Sequence, residues 1–329
     1  MKTRTLHLET AAVHAGRADL TALGVHAPPI DFSSTNPLPD VEHGGDSYES
    51  MAGGGHPLPG GGAVYGRLWN PTVARFEQAL AELEHAEAGV AFASGMAAMT
   101  AAILSTTART GRRHIVAVRP LYGGTDHLLA TGLLGTETTF CHADEVAASM
   151  RADTALVVLE TPANPTLELV DIAAVVAQAE GVPVVVANTF ATPVLQNPLD
   201  LGAAQRDQVP RGARRRDRRG DRVLRGAGDR SATDPCRHRR AAAPVGGLPV
   251  ASRTAHPPPA DAAQQVAYWL TGHPQVQQVY YPGFDGDLRG LLKTQLRGTG
   301  AMVAIKLTGG YRAASRVANS VRLFTHAVS

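Results

Sequence analysis

Apolar and polar positions along the 329-residue chain fall into two rhythms. His114-Ile-Val-Ala-Val118, Thr154-Ala-Leu-Val-Val-Leu-Glu160 and Val182-Pro-Val-Val-Val-Ala-Asn-Thr189 are short, nearly continuous apolar runs. Such runs mark strands buried on both faces. Val90 to Ala93 reads as the end of another buried strand. Between the runs the period lengthens. Phe76, Leu80 and Leu83 recur at helical spacing behind Pro71, which suits a first helical turn. Met96 to Leu104 reads as a helix of small apolar residues, and His127 to Thr131 and Asp171 to Ala179 as further helices. Beyond residue 261 the pattern predicts helices over Ala262 to Leu270 and Arg312 to Val321, with strands at Val276 to Tyr281 and Gly300 to Leu307. Strands alternating with helices predict an α/β protein: a doubly wound, mainly parallel sheet, with a smaller C-terminal α/β domain.

Ligands of such sheets bind at the carboxyl ends of the strands. Ser94, Tyr122, Asn164 and Asn188 are all expected there. Ser94 and Gly95 join the Val90–Ala93 run to the helix that follows; serine caps a helix well and glycine lets a ligand approach the backbone. Unpaired N–H groups and the positive end of a helix dipole make this join either an anion site or ordinary α/β packing. Tyr122 is the one aromatic of the Gly-rich turn Pro120-Leu-Tyr-Gly-Gly-Thr125. Tyr65 and Arg67 precede the Pro71 helix in an expected extended segment, where strand periodicity points both the same way. Arg67 there suits a phosphate fork or a surface salt bridge equally. Met1 to Pro39 reads as an arm, and Gly44 to Gly62, mostly Gly, His, Pro and Ser, as a mobile loop.

Composition narrows the function classes. No run of about 18 apolar residues is present, so no membrane span is expected. Met1 to Thr10 lacks a signal-peptide core, which predicts a cytoplasmic protein. Cys141 and Cys236 sit in unlike contexts and read as unpaired thiols. The histidines His14, His26, His43 and His56 lack metal-ligand spacing, so no metal is expected. The net charge of +2 misleads. Gln205 to Ala260 holds 14 of the 28 arginines against five aspartates, a local +9, which leaves −7 for the remainder. The basic character therefore belongs to one segment.

Five motifs in order carry a resemblance: Tyr65-Gly-Arg67 with Asn70-Pro-Thr72, Ser94-Gly-Met96, Leu121-Tyr-Gly-Gly-Thr125, Glu160-Thr-Pro-Ala-Asn-Pro165, and Asn188-Thr-Phe190 with Thr192-Pro193. From about Thr10 to Ala204, and again from about Gln264 to Ser329, the chain resembles the Cys/Met-metabolism family of pyridoxal-phosphate (PLP) enzymes. That family includes cystathionine γ-synthases, cystathionine and methionine γ-lyases and O-acetylhomoserine sulfhydrylases. The resemblance implies the fold-type I PLP-transferase architecture, pyridoxal 5'-phosphate as cofactor, and γ-elimination or γ-replacement on a sulfur amino acid or O-acyl-homoserine. It also implies a homodimer, often paired into a homotetramer. Residue by residue, it implies that the Gly95 and Met96 amides hold the cofactor phosphate and that Tyr65 and Arg67 reach that phosphate from the neighbouring subunit. Tyr122 would stack on the pyridine ring and help proton movement at the substrate, and Asn164 would hydrogen-bond the ring's phenolic oxygen. Gly124 stands where methionine γ-lyases often carry Cys, which leans toward the synthase, cystathionine lyase or sulfhydrylase branch.

The chain departs from the family in three places. Where the family strand reads Val-Val-Asp-Asn-Thr, with its carboxylate facing the pyridine nitrogen, this chain has Ala187; a methyl group cannot keep that nitrogen protonated. The family's Schiff-base lysine, in a Ser-x-Thr-Lys motif, is absent: the only lysines are Lys2, Lys293 and Lys306. Without it the usual nucleophile and proton carrier are lost. The genetic code supplies a reason. Read one base later, permitted codons for Gln205-Arg-Asp-Gln-Val-Pro210 give Ser-Ala-Thr-Lys-Tyr. Gln205 to about Asp261 therefore looks like a frame-shifted translation, restored near Ala262, rich in Arg, Pro, Gly and Ala and expected to be disordered. Third, an arginine that clamps the substrate carboxylate is expected beyond Ser329 in the family.

The domains read from this are an N-terminal arm and Gly-rich loop (1–62), a PLP-binding large domain (63–204), the frame-shifted segment (205–261) and a truncated C-terminal domain (262–329). The expected chain is catalytically inactive. Two rivals are a non-catalytic pseudoenzyme subunit and an evolved basic arm that binds nucleic acid; the arm lacks interleaved aromatics or helical spacing. Neither nucleic acid nor membrane is expected as a partner.

Overall fold

A computed structural model describes residues 7–203, 259–284 and 290–323. The expectations for residues 205–258, including disorder and the state of Cys236, lie outside the described residues, as do 285–289 and 324–329. The elements run α1 (Leu8–His14), α2 (Leu20–Leu23), α3 (Val41–Ala52), α4 (Pro71–Leu83), α5 (Gly95–Thr110), β1 (His114–Val118), α6 (Gly123–Ala130), β2 (Glu137–Cys141), α7 (Val146–Ser149), β3 (Thr154–Glu160), α8 (Ile172–Gln178), β4 (Val184–Ala187) and α9 (Thr192–Leu195). After the undescribed stretch come α10 (Pro259–Thr271), β5 (Val276–Tyr280), α11 (Leu291–Thr294), β6 (Ala304–Leu307) and α12 (Gly310–Ser320).

The large sheet has the order β2-β1-β3-β4, every pair parallel. Side chains alternate between its faces, as the pleat demands. Val116, Val118, Val157, Leu159, Val184 and Val186 pack on one face with Val170, Ile172 and Val175 around α8. Ile115, Ala117, Leu156 and Val158 pack on the other with Met99 and Ile103 of α5 and Leu129 of α6. Covered on both faces, β1 and β3 are buried along their whole length, which explains their unbroken apolar runs. The doubly wound sheet predicted from the pattern is thus present. β5 and β6 form a separate antiparallel pair, with Val279 and Tyr281 packed on Ala267 of α10.

Four local expectations need correction. Val90–Ala93 is not a strand. A Cβ at Gly89 would fall 2.7 Å from the Glu77 carbonyl oxygen of α4, and the Ala91 N–H donates to the Glu77 side chain at 2.8 Å. The segment is thus held against α4 through its backbone, and Phe92 is exposed. Gly44–Gly62 is not one mobile loop, because α3 occupies Val41–Ala52. Asp40 caps that helix by accepting from the His43 N–H at 2.8 Å, and its buried face is Gly44, Ser47 and Met51 at helical spacing. Small and polar residues make that face, so hydrophobic patterning passes over it. Tyr65 is extended, in an isolated antiparallel bridge to Thr35, but Arg67 lies in the turn that follows: the Leu68 and Trp69 N–H groups both donate to the Tyr65 carbonyl. Finally, α6 starts at Gly123 inside the Gly-rich turn, and α5 runs on to Thr110. β2 and α7 have no counterpart in the sequence pattern. β2 is an edge strand whose Glu-Thr-Thr-Phe-Cys sequence is mostly half-buried and so lacks an apolar run.

Candidate functional site

The carboxyl ends of β1 and β3 and the N-terminus of α5 meet at one end of the sheet. Ser94 caps α5, its hydroxyl oxygen accepting from the Ala97 N–H at 3.1 Å, and the helix is 16 residues long. The N–H groups of Gly95 and Met96, in its first turn, have no intrahelical acceptor and point out of the positive end of the dipole. The chemistry of that donor set suits a phosphate.

Tyr122 is the N-cap residue of α6, four residues past the end of β1, and is 39% exposed. The ring lies over Gly124: a Cβ built there would sit 2.6 Å from Tyr122 Cε1 and 3.3 Å from Met96 Sδ. Any larger residue at 124 would push the ring away. The Thr125 hydroxyl reaches Met96 Sδ at 3.6 Å, which completes the contact between α6 and the start of α5. Asn164 lies four residues past the end of β3, half-buried, with its N–H donating to Glu160 Oε1 at 3.0 Å. Glu160 Oε2 accepts from the Tyr122 N–H at 2.6 Å. Gly95, Met96, Tyr122 and Asn164 therefore converge, and Glu160 is the joint between the last two.

Tyr65 and Arg67 pair with each other. The Arg67 guanidinium lies 4.6 Å from the centre of the Tyr65 ring, and Tyr65 bridges Thr35. Among the described residues, no hydrogen bond or ring contact joins this pair to the other four.

Asn188 sits at the same end of the sheet, but it faces inward. Its Nδ2 donates to the Gln196 carbonyl at 3.0 Å and its Oδ1 accepts from Gln196 Nε2 at 2.8 Å. Gln196 in turn accepts from Gln295 Nε2 at 3.0 Å, and Gln295 bonds the Ile172 N–H and the Val170 carbonyl. This buried chain of amides ties the C-terminal segment to the sheet. Ala187, level with Glu160 in the β3–β4 register, presents only a methyl group.

Glu160 opens one of the five motifs and closes an apolar run, but the sequence assigns it no role. Its signals are structural: it is buried at 5% exposure, and burial raises its carboxyl above the usual range while the Tyr122 and Asn164 amides pull it down. Buried Glu84 is raised for the same first reason, against the Asn188 and Asn197 side chains.

Comparison with known proteins gives this geometry its setting. The family described as Cys/Met metabolism PLP-dependent enzyme matches residues 9–205 and 258–329. The L-methionine gamma-lyase of Brevibacterium sandarakinum is 48% identical over 345 aligned residues, covering 99% of this chain and 85% of that protein. That of Brevibacterium aurantiacum is also 48% identical, covering 99% of this chain and 82% of its own. Among solved structures, metB from Corynebacterium glutamicum aligns with a TM-score of 0.72 at 26% identity, over 99% of this chain and 85% of that one.

Proposed function

The chain belongs to the Cys/Met metabolism PLP-dependent enzymes, a lineage of γ-elimination and γ-replacement on sulfur amino acids, and from that premise we propose a methionine γ-lyase-type protein that keeps its cofactor contacts but does not turn over. Relatives named L-methionine gamma-lyase at 48% identity outweigh the single position Gly124 and favour elimination from methionine.

Pyridoxal 5'-phosphate is the family's cofactor, and bound to a substrate amine it supplies an electron sink beside the α-carbon. Part of this chain fits the group. Gly95 and Met96 would hold its phosphate, Tyr122 would cover its ring, and Asn164 would hydrogen-bond its phenolic oxygen. Two other parts do not fit. No lysine lies between Lys2 and Lys293 to hold the aldehyde and carry the proton, and Ala187 puts a methyl where an acid would face the ring nitrogen. The observation that carries the proposal is this missing lysine. The family match omits residues 206–257, in keeping with a frame-shifted segment of about 205–261 between the large domain (63–204) and the C-terminal domain (262–329). Glu160, level with Ala187, is turned to the β1 and β3 loops, where each of its oxygens accepts from a backbone amide.

Tyr65 and Arg67 would act across a subunit boundary in a homodimer, paired into a homotetramer, as the family resemblance implies. No helix among the described residues is long and apolar enough to cross a membrane. The reading places the protein in the cytoplasm, with neither nucleic acid nor membrane as partner. The test compares this chain with one whose frame is restored across 205–261, both supplied with the cofactor and L-methionine. Thiol release from the restored chain alone is expected. Release by the present chain at a comparable rate would overturn the proposal.

A further inference from the structure

β1 and β3 are neighbours in the sheet, and each ends in a loop that carries one candidate cofactor contact. The two loops are joined by one side chain. Glu160 Oε2 accepts from the Tyr122 N–H at 2.6 Å and Oε1 from the Asn164 N–H at 3.0 Å, so one rigid carboxylate spans both backbones. Glu160 is buried, and no ion pair compensates it among the described residues. Burying a charge costs several kcal/mol unless it is paired or well hydrogen-bonded, and here two amides are the whole compensation. The grip is on main chain, so it fixes where the Tyr122 ring and the Asn164 amide begin. At its other end the ring edge occupies the space that a Cβ at Gly124 would need, beside Met96 Sδ.

We propose that Glu160 is a positioning residue that sets the distance between the Tyr122 ring and the Asn164 side chain, and through it the affinity for pyridoxal phosphate. This rests on the reading that Tyr122 and Asn164 contact that cofactor. Removing one oxygen acceptor turns a charge-assisted bond into a mismatch: in Glu160→Gln, the new NH2 group faces one of the two N–H donors.

The experiment uses the full chain as wild type, Glu160→Gln, Glu160→Asp and, as a control, Glu84→Gln, which alters the other buried carboxyl among the described residues. Amide hydrogen exchange is read in peptides covering 119–125 and 161–167, and affinity for pyridoxal phosphate from its induced circular dichroism. Glu160→Gln should speed exchange in both loops together and weaken cofactor binding roughly tenfold, the scale of one lost hydrogen bond to a charged group. Glu160→Asp, one methylene shorter, cannot span both amides and should behave alike; it stands in if Glu160→Gln does not fold. Glu84→Gln should change global stability while leaving both loops and the affinity unmoved. Exchange that rises in one loop only, or affinity within twofold of wild type, overturns the proposal. A wild-type chain that binds no pyridoxal phosphate sinks the functional reading instead, and the exchange measurement then still decides whether Glu160 holds the two loops.

Discussion

The loops after β1 and β3 and the loop after β4 lie side by side at the same end of the sheet, yet they use their polar groups differently. After β1 and β3, Glu160 grips the backbone of both loops, Arg119 pairs with Asp126 and the Thr161 hydroxyl accepts from the Val170 N–H, while the side chains of Tyr122 and Asn164 remain partly open. After β4 the side chains are the ties. Asn188 and Gln196 bond each other, Gln196 bonds Gln295, and Arg297 reaches the Pro193 and Val194 carbonyls and the Asn197 side chain. Ala187, at the head of this loop, offers no polar group at all. One side of the sheet end thus leaves side chains open, and the other holds the C-terminal segment in place. On the proposed function, the open side is the one that meets the cofactor.

Three changes sharpen or break that contrast. The largest effect is expected for Ala187→Asp in a frame-restored chain. A carboxylate there would stabilise charge mainly in the transition state, which is typically worth on the order of 10² to 10³ in rate. The comparison is thiol release from L-methionine by two restored chains, with and without the substitution. Equal turnover would show that the β4 side never needed its acid. Next comes Gln295→Leu. It strands the Ile172 N–H and the Gln196 amide oxygen in a buried setting, and each orphaned group costs about 1–3 kcal/mol. Urea unfolding should register a loss of roughly 3 kcal/mol, with pyridoxal phosphate affinity unchanged at the other loops. An equal fall in affinity would mean that the two sides are not separable.

The smallest effect concerns pH and the opposite end of the sheet. His114 is wholly buried, its ring bonded to the Thr154 and Thr139 hydroxyls at 2.8 and 2.9 Å. Burial first, then the Arg151 charge, holds its pKa below the ordinary 6.5, against Asp153 and Glu137, which raise it. The unfolded chain therefore binds this proton first. The stability tied to the neutral ring is present above pH 6.5 and is lost as pH falls toward the depressed folded value. The slope from this one group is at most about 1.4 kcal/mol per pH unit. Unfolding midpoints of wild type and His114→Gln should keep a constant gap above pH 6.5 and converge below it. Curves that stay parallel below pH 6.5 would assign the acid sensitivity to other groups.

Much of this arrangement is legible in the sequence, and the failures have physical causes. β1 and β3 can be read because burial on both faces demands unbroken apolar runs, and α4 because Asn70 and Pro71 mark its start. α3 escapes because its buried face is Gly44, Ser47 and Met51. Val90 to Ala93 looks like a strand because composition does not show that Gly89 and Glu77 bind it to a helix instead. Met96, Tyr122 and Asn164 can be gathered from the motifs, and so can Glu160 as a member of one. What the motif does not show is the role of Glu160, which depends on burial and on which two amides it faces.

On the proposed function, this chain keeps a place for pyridoxal phosphate without a lysine there to hold it covalently. The direct measurement is the amount of pyridoxyl label per chain after incubation with the cofactor, borohydride reduction and peptide mapping, beside a dialysed sample. On that proposal the cofactor is expected to bind, wash out on dialysis, and leave no stoichiometric label on Lys2, Lys293 or Lys306. One label per chain at any of these three lysines, rising together with thiol release from L-methionine, would contradict it.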